Sequence, residues 1–218
     1  MEPSHVRPHT DAEMEKVAQQ LLRAAFPNIN MLDIPVDIDF IAEQQGAVDF
    51  IVLLPNLQTG FNVVAVTCSK GDKRCDIILD ADTDSYNRGR ANFSIAHELG
   101  HVVLHNELYS DCNDIEAAAA LSDRIRRVYS RLEREANYFA GAILIPSITI
   151  YRDTELVYEG IFVEWGQDVD EIVPRLISAL ARRYLVSAQA MQIRLGQLKI
   201  LKRARACIKS GLTQIVWH

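Results

Sequence analysis

Two histidines, His97 and His101, stand four residues apart, and Glu98 follows the first of them directly. On a helix, residues four apart share one face about 6 Å apart, so both imidazoles reach one metal ion. Zinc takes imidazole nitrogens at about 2.0–2.1 Å and, at catalytic sites, keeps one position for water. Glu98 points beside such a metal, not at it. There it could take a proton from the activated water and later pass it to a leaving amine. That is the chemistry of peptide-bond hydrolysis. The five-residue pattern alone has three fixed positions and arises by chance in a few per cent of chains this long. Its setting is less ordinary. Phe93-Ser94-Ile95-Ala96 precedes it and Val102-Val103-Leu104 follows it. An ionisable cluster in an apolar stretch is costly unless it pairs or coordinates.

A third ligand has to come from elsewhere. No CxxC pair exists among Cys68, Cys75, Cys112 and Cys207, and His5, His9 and His218 lie near the ends. His105 lies about 12 Å along the axis from His97 on a continuous helix, too far to share one ion. It reads as a residue behind the ligands, a substrate-side residue or a helix-end cation. Glu133 and Glu135 sit on the next strongly periodic segment, where Leu132, Ala136, Phe139, Ala140 and Ile143 form an apolar stripe. Two apart on a helix, these carboxylates point about 160° apart, so only one can reach the metal. Periodicity does not choose between them.

The elements that must position these groups follow from capping and periodicity. Thr10-Asp11-Ala12-Glu13 has the form of a capping box, and Met14, Val17, Ala18, Leu21, Leu22 and Ala25 continue at helical spacing. Val36 to Gln45 reads as a short second helix. Val48–Leu54, Phe61–Thr67 and Asp76–Ala81 are Val- or Ile-rich runs separated by turn residues, which predicts a small three-stranded antiparallel sheet. Asp80 to Asn92 reads as a loop. Helices are predicted over Phe93–His105, Tyr129–Leu144 and Pro174–Tyr184, with another capped by Ser187. Residues 147–170 give no clear period. The fold class is α+β: the sheet packs with the HExxH helix and further helices, and a small all-helical region follows. The expected divisions are a flexible N-terminus at 1–9, a metallopeptidase-like core at 10–146 and a helical, basic C-terminal region at 147–218.

Charge is unevenly spread. All 29 acidic residues lie at or before Glu171, against 14 basic ones there; residues 172–218 hold nine basic residues and no acidic one. Such a tail either docks on the acidic part or contacts an anionic partner. Arg175 to Leu198 could form two helices around a short turn, a form compatible with weak nucleic-acid contact as well as with a plain helical hairpin. No apolar run approaches the roughly 18 residues of a membrane span, and the N-terminus lacks a signal-peptide stretch. The expectation is a cytoplasmic protein with free thiols and no membrane partner.

Three segments, in order, resemble the ImmA/IrrE family of zinc metallo-endopeptidases. Phe93-Ser94-Ile95-Ala96-His97-Glu98-Leu99-Gly100-His101-Val102-Val103-Leu104-His105 is similar to its metal-binding helix. Glu133-Arg134-Glu135-Ala136-Asn137-Tyr138-Phe139-Ala140-Gly141-Ala142-Ile143-Leu144-Ile145-Pro146 is similar to its second motif. Tyr184 to Leu195 is similar to its later helical segment. The resemblance implies a Zn2+ site of His97, His101 and Glu135 with Glu98 as general base and acid. It implies a supporting role for Asn137. His105 and Tyr138 are further candidates behind the ligands or on the substrate side. Tyr86, Tyr129, Tyr138 and Tyr151 are candidate donors to the oxyanion. It also implies a protein substrate, a helix-turn-helix transcriptional repressor cut to relieve repression in stress or mobile-element regulation. The alternative is a regulatory or DNA/protein-binding module that keeps the metal site without peptidase activity. Ile145 stands where the family usually has Met, and the stretch between His101 and Glu135 is long.

Overall fold

A computed structural model describes residues 7–29, 32–44, 48–58, 64–71, 74–109, 112–117, 120 and 128–217. The chain divides into two compact units, residues 1–29 with 37–144 and residues 30–36 with 145–218.

In the first unit, α1 (Asp11–Ala25) begins with the capping box: the Glu13 amide donates to Thr10 Oγ1 at 3.2 Å, and the Thr10 amide donates to Glu13 Oε2 at 2.8 Å. Its buried face of Met14, Ala18 and Leu22 follows the predicted stripe. A short α2 (Ile38–Gln44) leads to the strands β1 (Val48–Leu54), β2 (Ala65–Gly71) and β3 (Arg74–Asp80). Phe61 to Val63 of the predicted second strand lie outside the described residues.

The sheet is mixed, which corrects the antiparallel expectation. Its order is β1-β3-β2, with β3 antiparallel to β2 and parallel to β1. Burial accounts for the strand order. β3 buries Cys75, Ile77, Leu79 and Asp80, so it takes the centre, while β1 leaves Phe50 and Leu53 at least half exposed at an edge. Apolar content identifies strands, but it does not say which strand lies between the other two.

The polar stretch read as a loop is instead largely helical: α3 (Ala81–Tyr86) and then α4 (Arg88–Tyr109). Asp80 caps α3, its carboxylate accepting from the Thr83 amide at 3.0 Å and from the Gln58 amide at 3.1 Å. The short polar helix has no apolar stripe to announce it. Its stability comes from that cap and from packing on α4.

Helix α4 packs against α5 (Tyr129–Leu144), which buries Leu132, Ala136, Phe139, Ala140 and Ile143 completely. Each large side chain in that stripe contributes about 1.5–3 kcal/mol of apolar burial. Gly100 marks the close approach of the two helices. A Cβ there would lie 3.2 Å from the Ala136 Cα and 3.1 Å from Phe139 Cδ1. The glycine that weakens α4 locally is what lets α5 come so near. Much of the segment joining α4 to α5 lies outside the described residues.

The second unit holds α6 (Ser147–Trp165), α7 (Val169–Arg183), α8 (Ala188–Gln197) and α9 (Ile200–Lys209). Helix α6 fills the region without a readable period. It buries Thr149, Ile150, Asp153, Thr154, Tyr158 and Phe162 at helical spacing, but half of those are polar, and Leu156 and Val163 are exposed. The apolar pattern is therefore blurred on both faces. Ser187 caps α8 by accepting from the Ala190 amide at 3.0 Å. Among the described residues, no helix is long and apolar enough to cross a membrane.

Candidate metal centre

His97, Glu98 and His101 all come from α4. The Nε2 atoms of His97 and His101 converge to 3.1 Å. Glu133 of α5 completes the group: its carboxylate oxygens lie 3.3 Å from His97 Nε2 and 3.2 Å from His101 Nε2. One ligand atom from each residue lies within 4.8 Å of the others. Two imidazole nitrogens and a carboxylate are the donor set that suits a divalent ion such as zinc. The electrostatics agree. Burial pushes the Glu133 carboxyl up, yet hydrogen bonds from His101 and His97 outweigh that and hold it well below the usual carboxylate range. Burial likewise opposes the charged form of His97, and Glu133 and Glu98 overcome it and raise its pKa.

Glu135 is not in this group, which departs from the third-ligand expectation. It is fully buried and faces the other way, with its Oε2 3.0 Å from His105 Nε2 and its Oε1 accepting from the His9 amide at 3.3 Å. The reason is helical geometry. Two residues are a rotation of about 200°, so the inward face of α5 at the metal group belongs to Glu133. His9, half-buried, also places its Nε2 3.2 Å from the Leu104 carbonyl.

His105 is neither a helix-end cation nor a surface residue. It is 2 % exposed, at a break in α4 where φ is −131° and ψ is 20°. Its Nδ1 lies 3.1 Å from His101 Nδ1. Burial, the largest influence, pushes its pKa down to about 4, so the ring is neutral. The partners then fix the tautomers. His105 Nε2–H donates to Glu135, which leaves His105 Nδ1 as an acceptor beside His101 Nδ1 and turns His101 Nε2 toward Glu133. His97 is oriented in the same manner: its Nδ1–H donates to Asn137 Oδ1 at 3.2 Å, leaving Nε2 toward Glu133. Asn137 thus takes the supporting place expected of it. Tyr138 is buried in α5.

Glu98 is 9 % exposed and accepts from the Thr67 hydroxyl at 2.8 Å. Thr67 lies on β2, 31 residues away, and no spacing rule could pair the two. Of the candidate tyrosines, Tyr129 lies near these carboxylates. Burial first, then Glu133 and Glu98, raise its pKa, so the phenol keeps its proton. Tyr86 is 89 % exposed. Cys68, Cys75, Cys112 and Cys207 are buried and not joined in disulfides, and burial pushes the Cys68 thiol up to about 11 and that of Cys75 to about 12. Cys68 and Cys75 therefore remain protonated and poor metal ligands.

Residues 77–196, more than half of the chain, match the Peptidase M78 family model, described as the IrrE N-terminal-like domain. The chain belongs to that family. The matched span contains His97, Glu98, His101 and Glu133, so this IrrE-like domain is of metallopeptidase type. A search of the curated proteins found no match.

Proposed function

We propose that this IrrE-like protein is a zinc-dependent endopeptidase of the cytoplasm that cuts a helix-turn-helix transcriptional repressor and so relieves repression. The observation that carries the reading is the convergence of His97 Nε2, His101 Nε2 and the Glu133 carboxylate beside Glu98. His97, His101 and Glu133 would hold the metal. When bound, it supplies Lewis-acid activation of water and of the scissile carbonyl. The chain's own residues do the rest. Thr67 donates to one oxygen of Glu98 and steadies the carboxylate. Glu98 takes the proton of the attacking water and returns it to the leaving amine nitrogen as the C–N bond breaks. The Tyr129 hydroxyl, held protonated, donates to the oxyanion as it forms. Asn137 and His105 keep the two imidazoles turned so that each Nε2 faces inward.

The test uses the full chain with zinc, incubated with the repressor encoded beside its gene, and mass spectrometry of the fragments. The expected result is a defined pair of fragments from the wild type and none from Glu98→Gln, with zinc content equal in both. Cleavage at the wild-type rate by Glu98→Gln would overturn the assignment of the base. An intact repressor that forms a stable complex with the zinc-loaded wild type would favour a binding module with a metal site over an enzyme.

A further inference from the structure

The second unit contains an open cavity of about 500 Å³ whose lining belongs to a different chemistry from that of the metal centre. Tyr151 of α6 and Trp217 form an edge-to-face pair, ring centroids 4.9 Å apart and planes at 82°. Lys199, Lys202 and Arg203 gather at the start of α9, and Leu198 adds an apolar surface. Volume in this range is typical of sites for small organic molecules.

Several contacts fix this arrangement. Arg203 Nε donates to the Val216 carbonyl, which ties the segment bearing Trp217 to α9. The Trp217 indole N–H donates to Glu155, and the Tyr151 hydroxyl to the Leu198 carbonyl at 3.4 Å. Lys199 has left-handed backbone, φ 60°, in the two-residue break, Leu198 and Lys199, between α8 and α9.

Three other basic side chains of this unit are engaged elsewhere. Arg175 pairs with Glu171 at 2.9 Å and stacks on Trp165. Arg183 pairs with Asp153 at 2.7 Å. Arg194 is 1 % exposed and donates to the Ile145 carbonyl at 3.1 Å. Lys199 and Lys202 are exposed at the cavity, and the carboxylate of Glu155 at its aromatic edge accepts from the Trp217 indole. In a T-shaped pair the partner covers only one face of the ring that receives the edge, so flat-ring stacking adds to whatever the cations hold.

We propose that this cavity binds a mononucleotide, its phosphate taken by Lys199, Lys202 and Arg203 and its base laid against the Tyr151–Trp217 pair. Cations position the phosphate, and an aromatic platform accepts any base because every base has a π-face. This site is separate from the proposed peptidase reading and stands or falls without it.

The test is isothermal titration of the full chain, metal-loaded, with AMP, with ATP, with inorganic phosphate and with a ten-residue oligothymidylate. The expected result is one saturable nucleotide site per chain. Lys202→Glu and Lys199→Glu, both exposed positions, should each weaken it at least 10-fold with unchanged thermal unfolding. Phosphate should bind at least 10-fold more weakly than AMP. Absence of saturable nucleotide binding, or binding indifferent to both charge reversals, overturns the proposal. Phosphate equal to AMP overturns the role of the rings. Binding of the oligonucleotide alone overturns the mononucleotide assignment and places the phosphate in a nucleic-acid strand.

Discussion

Glu133 and Glu135, two residues apart on one helix, serve opposite faces of it: Glu133 meets His97 and His101 at 3.3 and 3.2 Å, and Glu135 meets His105 at 3.0 Å. Glu133 is 28 % exposed at its side chain and Glu135 is not exposed at all. One carboxylate is therefore placed to bind a metal, and the other to orient a histidine behind it.

The two replacements should separate cleanly. Glu133→Ala removes the proposed carboxylate ligand and should lower zinc affinity by well over about 100-fold, with a smaller loss of metal-free stability than Glu135→Ala because Glu133 is the more exposed of the two. Glu135→Ala leaves His105 without its acceptor in a buried place. It should lower zinc affinity by about 10–100-fold and destabilise the fold by about 3 kcal/mol. Chelator competition measures the first quantity and thermal unfolding of the metal-free protein the second. Loss of zinc in Glu135→Ala with full retention in Glu133→Ala would reverse the assignment.

Tyr129 carries a proton that Glu133 and Glu98 help to hold. If that hydroxyl meets the oxyanion only in the transition state, Tyr129→Phe should lower kcat by about 100-fold and leave KM unchanged. Zinc content should match the wild type. An unchanged kcat in a steady-state assay would remove Tyr129 from the reaction.

Gly100 lies in a helix interior, where alanine is intrinsically better by about 1 kcal/mol. Here the Ala136 backbone stands in the way: an added Cβ would meet the Ala136 carbonyl oxygen at 3.3 Å as well as its Cα at 3.2 Å. Backbone cannot rotate aside as a side chain can. Gly100→Ala should therefore lose about 1–3 kcal/mol in urea unfolding and slightly weaken zinc binding, since α4 carries His97 and His101 and α5 carries Glu133. A stabilised variant would show that the two helices are less closely packed than described.

Asp153 anchors the second unit. Burial pushes its carboxyl up, but hydrogen bonds from Arg183, Arg152 and Tyr184 outweigh that and hold its pKa below the usual 3.8. A depressed carboxylate contributes stability above its unfolded pKa and loses it as pH falls through that value toward the folded one. Asp153→Asn should cost about 2–3 kcal/mol at pH 7, less than a fully buried pair because Arg152 and Arg183 are half exposed. The difference from wild type should hold down to about pH 5 and shrink below about pH 4. Denaturant unfolding across pH measures it, and a gap that widens in acid would contradict the sign.

The chemistry of this protein was largely legible in its residues. Spacing alone placed His97, Glu98 and His101 on one helix, because the period of 3.6 is a property of the local backbone. Capping at Thr10 and Ser187 was equally local. The membership of an IrrE-like family was written in three ordered segments, and the match over residues 77–196 spans them. What remained open depended on contacts between distant parts of the chain. Whether Glu133 or Glu135 faces the histidines depends on how α5 is rotated against α4, which Gly100, Ala136 and Phe139 decide by packing. The hydrogen bond from Thr67 to Glu98 depends on β2 lying beside α4, and the central place of β3 depends on which strand the folded chain buries most. Periodicity reports which face of an element is apolar. Only the folded chain decides what each face meets.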